Sequence, residues 1–369
     1  MILDLSDIRG TDAPLVGPKM ARLGELASLG WRVPDGYAIT ADALAGWLPA
    51  AARGSLDRLF SAPGAAGDLV ALSARARELI ESQPLPGALT DAVATAHERL
   101  EGRRLGATGG ALRVAVRSSA VSEDGSGASF AGQYETYLGV SGVADVLKHV
   151  KRCWASGYSA HALEYRRRFG GAGPLRANDL AVGVLELVDA RSAGVAFTLD
   201  PVTGDRSTLV VEGNWGFGES VVSGHVSPDH WTVDRESGSI LTRRTGAKSS
   251  WSAFSPATGR VVLETAPGDL SAQTCLTDDE VRYLCQQAMR IEAAAGGVPQ
   301  DIEWTIARDL PLPDSVFILQ HRPETTWSAR PAEAAPGGPE APDASAGADA
   351  PGFDPVRYAL RNVFRVPGA

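Results

Sequence analysis

The sequence predicts a mixed α and β protein, from three observations. Several stretches space their apolar residues as helices do, and others are short apolar runs of strand type. Glycine, proline and asparagine-or-aspartate turns separate the two kinds along most of the chain. Residues 329–352 then change to almost pure Ala, Pro, Gly, Asp and Glu, which cannot build a core.

The elements follow in order. Met20, Leu23, Leu26 and Ala27 recur at helical spacing, and Gly30 stops that helix. A turn at 33–36 leads to a strand at Tyr37, Ala38 and Ile39. Residues 41–104 are rich in Ala, Leu, Glu and Arg with Pro and Gly breaks, which predicts several helices. Strands are expected at 112–116 and 137–140, flanking a Gly- and Ser-rich loop, and helix at 143–169. Residues 180–187, 194–198 and 209–212 read as further strands. Thr277 and Glu280 form a capping box that opens a helix over 277–295. Strands at 302–306 and 316–320 flank a turn holding Asp309 and two prolines.

The chain has 369 residues, enough for two or three domains. Its net charge of -9 argues against nucleic acid or an anionic membrane surface as the main partner. A polyanion such as ATP then needs a locally basic pocket. No apolar run reaches the ~18 residues of a membrane span, and the acidic start does not resemble a secretory leader. Cys153, Cys275 and Cys285 are scattered without metal-ligand spacing, so they are expected as small buried hydrophobes in a reducing cytoplasm.

Four segments carry residues suited to phosphate chemistry, which needs cations, backbone donors and metal-binding oxygens together. Gly17-Pro18-Lys19 puts a lysine at a helix start, where it is either a phosphate ligand or a solvated side chain. Arg117 stands at the end of the 112–116 strand before the small-residue loop 125–133, whose N–H groups either fold over phosphates or form a surface loop. Asp301 and Glu303 point the same way from an apolar strand, which suits either a divalent cation such as Mg²⁺ or a solvent-facing edge. Gln320 and Arg322 likewise share a face, as metal and γ-phosphate ligands or as a hydrogen-bonded strand end.

Taken together, VAVRSSAVSEDGSGASFAGQYETYLGV, FTLDPVTGDRSTLVVEGNWGFGESVVSGHVSPD and QDIEWTI…FILQHRPETTW resemble the nucleotide-binding region of phosphoenolpyruvate synthase and pyruvate phosphate dikinase, which rifamycin phosphotransferase shares. GPKMARLGELASLGWRVPDGYAIT is similar to the family's amino-terminal block, and the resemblance runs to about residue 328. It implies an α+β, two-lobed ATP-grasp fold, with lobes at 1–188 and 189–328 that clamp ATP. By the same resemblance Lys19 and Arg117 contact phosphates, and Gly132 and Thr136 lie near the triphosphate. Asp301, Glu303 and Gln320 hold Mg²⁺, and Arg322 binds the terminal phosphates. Adenine is expected at a hinge of Glu186, Leu187 and Val188, read mainly by backbone groups.

The departures are informative. Pro18 and Met20 stand where the family often has glycine, and Gly125-Ser126-Gly127 replaces a bulkier stretch. His321 replaces a small residue, on the strand face opposite the metal ligands. Full-length relatives carry a phosphorylatable histidine in a Gly-rich Thr/Ser-His-Ala setting. None of His97, His149, His161, His225, His230 and His321 has it, and His225 and His230 are expected to be structural or near the cleft. The resemblance therefore implies a first half-reaction: transfer from Mg-ATP to a histidine on an acceptor-binding partner in trans, with release of AMP. Two-component members of the phenylphosphate synthase type make a phenol the favoured acceptor. A phosphoenolpyruvate synthase-like or antibiotic-directed component, a stand-alone kinase, and a non-catalytic nucleotide-sensing or scaffold protein are the alternatives. Residues 329–352 are expected to be a disordered tether. Within 353–369, Asp354 and Pro355 start a short amphipathic helix that docks on the partner or folds back.

Overall fold

A computed structural model describes residues 1–62, 67–103, 111–121, 135–169, 180–224 and 226–327. Gly132 with its loop, His225, the 329–352 stretch and the 353–369 segment lie outside the described residues. Helices and strands are mixed, in two compact units: Met1–Val188 with Phe254–Val261, and Asp189–Ala253 with Val262–Ala369.

The first unit contains β1 (Ile2–Asp4), α1 (Ala13–Ser28), β2 (Gly36–Ile39), α2 (Ala41–Trp47), α3 (Ala50–Ser61), α4 (Leu69–Glu81), α5 (Gly87–Gly102), β3 (Arg113–Ala120), β4 (Thr136–Ser141), α6 (Val143–Ser156), α7 (Ala160–Phe169) and β5 (Leu180–Glu186). Its strands form an antiparallel sheet in the order β1-β2-β5-β3-β4. Strand alternation sends side chains to two apolar layers. Tyr37, Ile39, Val114, Val116, Val182 and Val184 join the larger core with Leu56, Leu72, Val93, Val146 and Trp154 from the helices. Ala38 and Leu185 face the other way and pack with Val16, Met20 and Leu23 of α1. β3 is longer than its sequence suggests. Ser118, Ser119 and Ala120 read as loop because they are small, yet they pair with Val182, Ala181 and Leu180. Arg117 therefore sits within the strand and not at its end.

The second unit contains β6 (Ala190–Phe197), β7 (Thr208–Trp215), α8 (Glu219–Val222), β8 (Asp229–Asp234) and β9 (Ile240–Arg244). Along the chain the hairpin strands β10 (Ser250–Ser255) and β11 (Arg260–Thr265) follow, of which residues 254–261 count with the first unit, then α9 (Gly268–Ser271), α10 (Asp278–Ala294), β12 (Gln300–Ala307) and β13 (Val316–Pro323). Six strands make an antiparallel sheet in the order β13-β12-β6-β7-β8-β9. The capping box of α10 forms: Glu280 N–H donates to Thr277 Oγ1 at 3.3 Å, and Thr277 N–H donates to the Glu280 carboxylate at 2.8 Å. α10 packs on β6, β7, β8 and β12. Gly213 opens space for the Trp304 ring, since a Cβ there would lie 2.8 Å from its Cη2. The opposite face carries Val195, Phe197 and Val210, with Val222 of α8 packed against them.

One buried ion pair braces this unit. Asp229 and Lys248 are fully buried and bonded to each other. Asp229 also accepts from Gly246 N–H at 2.9 Å and Cys275 N–H at 2.7 Å. The three cysteines are free and buried, as expected from their scatter. Burial pushes the Cys285 thiol up to about 12.

Candidate nucleotide-binding site

In the first unit the predicted residues gather around α1 and β3. α1 is broken at Gly17, whose φ of 75° leaves the helical region, and Pro18 starts the second helical segment. Proline suits that first position because its missing N–H is not needed there. Lys19 thus lies in the first turn of a restarted helix, with another helical turn before it. The substitutions at Pro18 and Met20 are accommodated: Met20 is buried against the sheet.

Arg117 pairs in register with Thr136 on one side and Gly183 on the other. Alternation places it on the face opposite Val116, which is the side α1 covers. Lys19, Arg117 and Thr136 therefore share one side of the sheet. Gly132 falls outside the described residues. At the expected hinge, Glu186 N–H donates to Asp35 O at 2.7 Å and Leu187 N–H to Arg113 O at 2.9 Å. Two of the three N–H groups expected to read adenine are thus engaged by protein carbonyls. Among the described residues, the Val188 N–H is the one of the three without a backbone acceptor.

In the second unit, register brings the four metal and phosphate candidates together. Asp301 stands opposite Arg322 and Glu303 opposite Gln320 across β12 and β13. Opposed residues project to the same face, and residues two apart on a strand do too. Asp301 is 3% exposed, so the solvent-facing-edge alternative does not apply to it. Arg322 Nε donates to Asp301 Oδ2 at 2.8 Å, with Nη2 at 2.7 Å. The other oxygen, Asp301 Oδ1, is buried and has no hydrogen-bond partner among the described residues. Burial pushes the Asp301 carboxyl above the ordinary carboxylate range; Arg322 pulls it back, and Glu303 and Glu324 add to the rise. His321 lies opposite Ile302, and its Nδ1 is 2.9 Å from Gln300 Oε1, so it occupies the other face.

A row across the sheet adds Glu212, which motif reading did not assign, and includes His230, which was expected to be structural or near the cleft. Glu303 stands opposite Val195, Val195 opposite Glu212, and Glu212 opposite His230. With strands about 4.8 Å apart, Glu212 is two steps, about 10 Å, from Glu303. Glu212 is buried, and His230 Nδ1 lies 3.0 Å from its Oε1. The sequence signal was a carboxylate closing the strand-like run 209–212 directly after three apolar residues, which is costly to bury without a purpose.

The donor set fits a hard divalent cation. Asp301, Glu303 and Gln320 offer oxygens, and one of these is a buried carboxylate oxygen without a partner among the described residues. No group of three or more His, Cys, Asp or Glu side chains converges among the described residues. Such a site is therefore incomplete on protein ligands alone, which is how Mg²⁺ is held when substrate phosphates complete its octahedron.

Comparison with known proteins decides the family. Residues 13–340 match the family described as pyruvate phosphate dikinase, AMP/ATP-binding domain. The chain belongs to this family. It is 37% identical over 353 residues to a probable phosphoenolpyruvate synthase of Staphylothermus marinus, covering 89% of this chain and 42% of that protein. It is 39% identical over 331 residues to a rifampicin phosphotransferase of a Streptomyces species, covering 88% and 36%. A prodigiosin synthesizing transferase, PigC, of Serratia marcescens is 35% identical over 326 residues, covering 88% and 33%. The chain thus spans less than half the length of these curated relatives. Among the described residues no helix is long and apolar enough to cross a membrane.

Proposed function

We propose that this chain is the ATP-binding component of a dikinase with an ATP-grasp fold, and that it hands a phosphoryl or pyrophosphoryl group from Mg-ATP to a histidine on a partner protein. The observation that carries this reading is the set Asp301, Glu303, Gln320 and Arg322 on one sheet face, with one Asp301 oxygen buried and unpartnered.

Lys19 and Arg117 neutralise phosphate oxygens from the first unit, and Thr136 adds a hydroxyl beside Arg117. Arg322 is oriented by its pair with Asp301 and binds the terminal phosphates. Asp301, Glu303 and Gln320 would hold Mg²⁺, which supplies charge neutralisation on the phosphate oxygens when bound. Gly132, expected near the triphosphate, completes the proposed contacts. Glu186 and Val188 line the proposed adenine site. Catalysis here is positioning and electrostatics, with no covalent residue on this chain.

None of the six histidines in these 369 residues has the phosphohistidine setting, so the histidine that receives the group lies outside them. A phenol is the acceptor that the resemblance to the phenylphosphate synthase type favours, and residues 353–369 are the proposed docking segment. Phosphoenolpyruvate synthesis and antibiotic phosphorylation are the competing acceptor chemistries, given the names of the relatives. A nucleotide sensor would have little use for a buried aspartate with an open oxygen beside a second carboxylate.

Nucleotide product analysis tests the reading. The chain is incubated with Mg-ATP, alone and with the histidine-bearing protein encoded nearest to it, plus a panel of phenols. AMP that forms only with both proteins is the expected result, and the phenol that speeds turnover names the acceptor. ADP from this chain alone overturns the two-protein reading, and no nucleotide turnover under any condition favours the sensor.

A further inference from the structure

Ser119 has no place in the machinery described so far, yet the geometry around it is unusually constrained. It is fully buried on β3, two residues beyond Arg117 and therefore on the same face. That face is the one α1 covers. Gly17, at the break in α1, lies directly on Ser119: a Cβ at Gly17 would stand 2.6 Å from the Ser119 carbonyl oxygen. With a φ of 75° as well, position 17 excludes other residues twice over, by strain and by space. Met20 N–H, at the start of the restarted helix, points to Ser119 Oγ at a long 3.5 Å. In that first turn the N–H groups have no partner within the helix, so a side-chain acceptor is the natural one.

A second anchor lies one strand away. Gly183, the partner of Arg117 on β5, leaves room for Met20, whose Cγ would be 3.2 Å from a Cβ there. Lys19 is therefore bracketed. On one side Gly17 rests on Ser119, and on the other Met20 is bonded to Ser119 and seated over the strand position beside Arg117.

We propose that Ser119 is the positioning residue that fixes the restarted end of α1, and with it sets Lys19 beside Arg117 for the phosphates of the nucleotide. This rests on the reading that Lys19 contacts phosphate. Ser119 itself touches no ligand. It accepts the Met20 N–H and forms the floor on which Gly17 turns, so its loss frees the residue whose charge is needed.

The test is a double-mutant cycle on Mg-ATP affinity, using the full chain, with thermal unfolding followed in parallel. Lys19→Ala is expected to weaken binding about 10- to 100-fold, the range for a charge-assisted hydrogen bond. Ser119→Ala is expected to weaken it about three- to tenfold, and to have no further effect in the Lys19→Ala background. Ser119→Cys, which keeps the volume but is a poor acceptor, should behave like Ser119→Ala and serves if the alanine variant folds badly. Equal losses in both backgrounds, or unchanged affinity in the single Ser119 variants, overturn the proposal. Unchanged affinity in Lys19→Ala alone is a separate result: it removes the phosphate reading of Lys19, and this proposal with it.

Discussion

Asp229 and Asp301 are both buried carboxylates in the same six-stranded sheet, each paired with one cation, and they are built in opposite ways. Asp229 is bonded to Lys248 and accepts two backbone N–H groups besides, so both its oxygens are engaged. Asp301 gives one oxygen to Arg322 and leaves the other buried with no partner among the described residues. Burying a charge costs several kcal/mol unless geometry and hydrogen bonds restore it. The protein meets that cost in full at Asp229 and only in part at Asp301. A fully partnered carboxylate braces a loop, whereas one with an open oxygen among the described residues has an acceptor to spare.

The largest effect that can break this comparison is on stability. Asp229→Ala strands the Lys248 ammonium in the interior, and about 3–5 kcal/mol of stability should be lost. Asp301→Asn keeps the shape and leaves Arg322 near solvent, so its cost should stay within about 1 kcal/mol. Denaturant melts of the two variants compare them directly. Similar losses would mean that Asp301 is as structural as Asp229.

The order should reverse for activity. Glu303→Gln is expected to lower nucleotide turnover in the reconstituted system about a hundredfold, roughly 2.7 kcal/mol, with the melt unchanged. Full turnover in this variant would remove Glu303 from the metal. A smaller effect sharpens the same point without turnover. At Mg-ATP ten times above its Kd the wild type should gain about 1.4 kcal/mol of apparent stability. Asp301→Asn at the same concentration should gain clearly less. Equal thermal shifts would show that the open oxygen plays no part in binding.

How far the sequence could see these features depends on how local they are. The capping box at Thr277 and Glu280 is a four-residue pattern, and it forms. The shared face of Asp301 and Glu303 needs only strand alternation, and it holds. The Asp301–Arg322 pair needs the register across the 308–315 connection, which alternation does not give. Arg117 reads as a strand end because Ser118 and Ser119 look like loop, whereas their pairing comes from β5, some sixty residues on. β8 to β11 escaped notice because they are short and half polar. Lys248 meeting Asp229 is a contact across a loop and carries no periodic signal. Burial by distant neighbours is what the sequence hides, and it is also what separates the two aspartates.

The smallest effect extends the comparison to the first unit, where burial is met in a third way, by leaving the group uncharged. His97 and His149 are buried, and burial lowers the pKa of both imidazoles. Glu101 opposes the shift at His97. At His149 Asp145 opposes it, while Arg260 and Arg152 add to it. The His149 Nδ1 is bonded to the Asp145 carbonyl at 2.8 Å, which suits a neutral ring with its proton on that nitrogen. Unfolding returns both rings to the ordinary value of about 6.5. Below that value the unfolded chain binds more protons than the folded one, so stability falls with falling pH until the lowered pKa values are reached. Above about pH 6.5 this contribution is fully present. Thermal unfolding of the wild type and of His97→Gln/His149→Gln between pH 8 and pH 5.5 isolates it: the wild type should lose more stability over that interval than the double variant. Hydrogen exchange should locate the excess loss in α5, α6 and β3. Parallel pH profiles would mean that these rings are protonated in the folded protein, and that the first unit also buries charge.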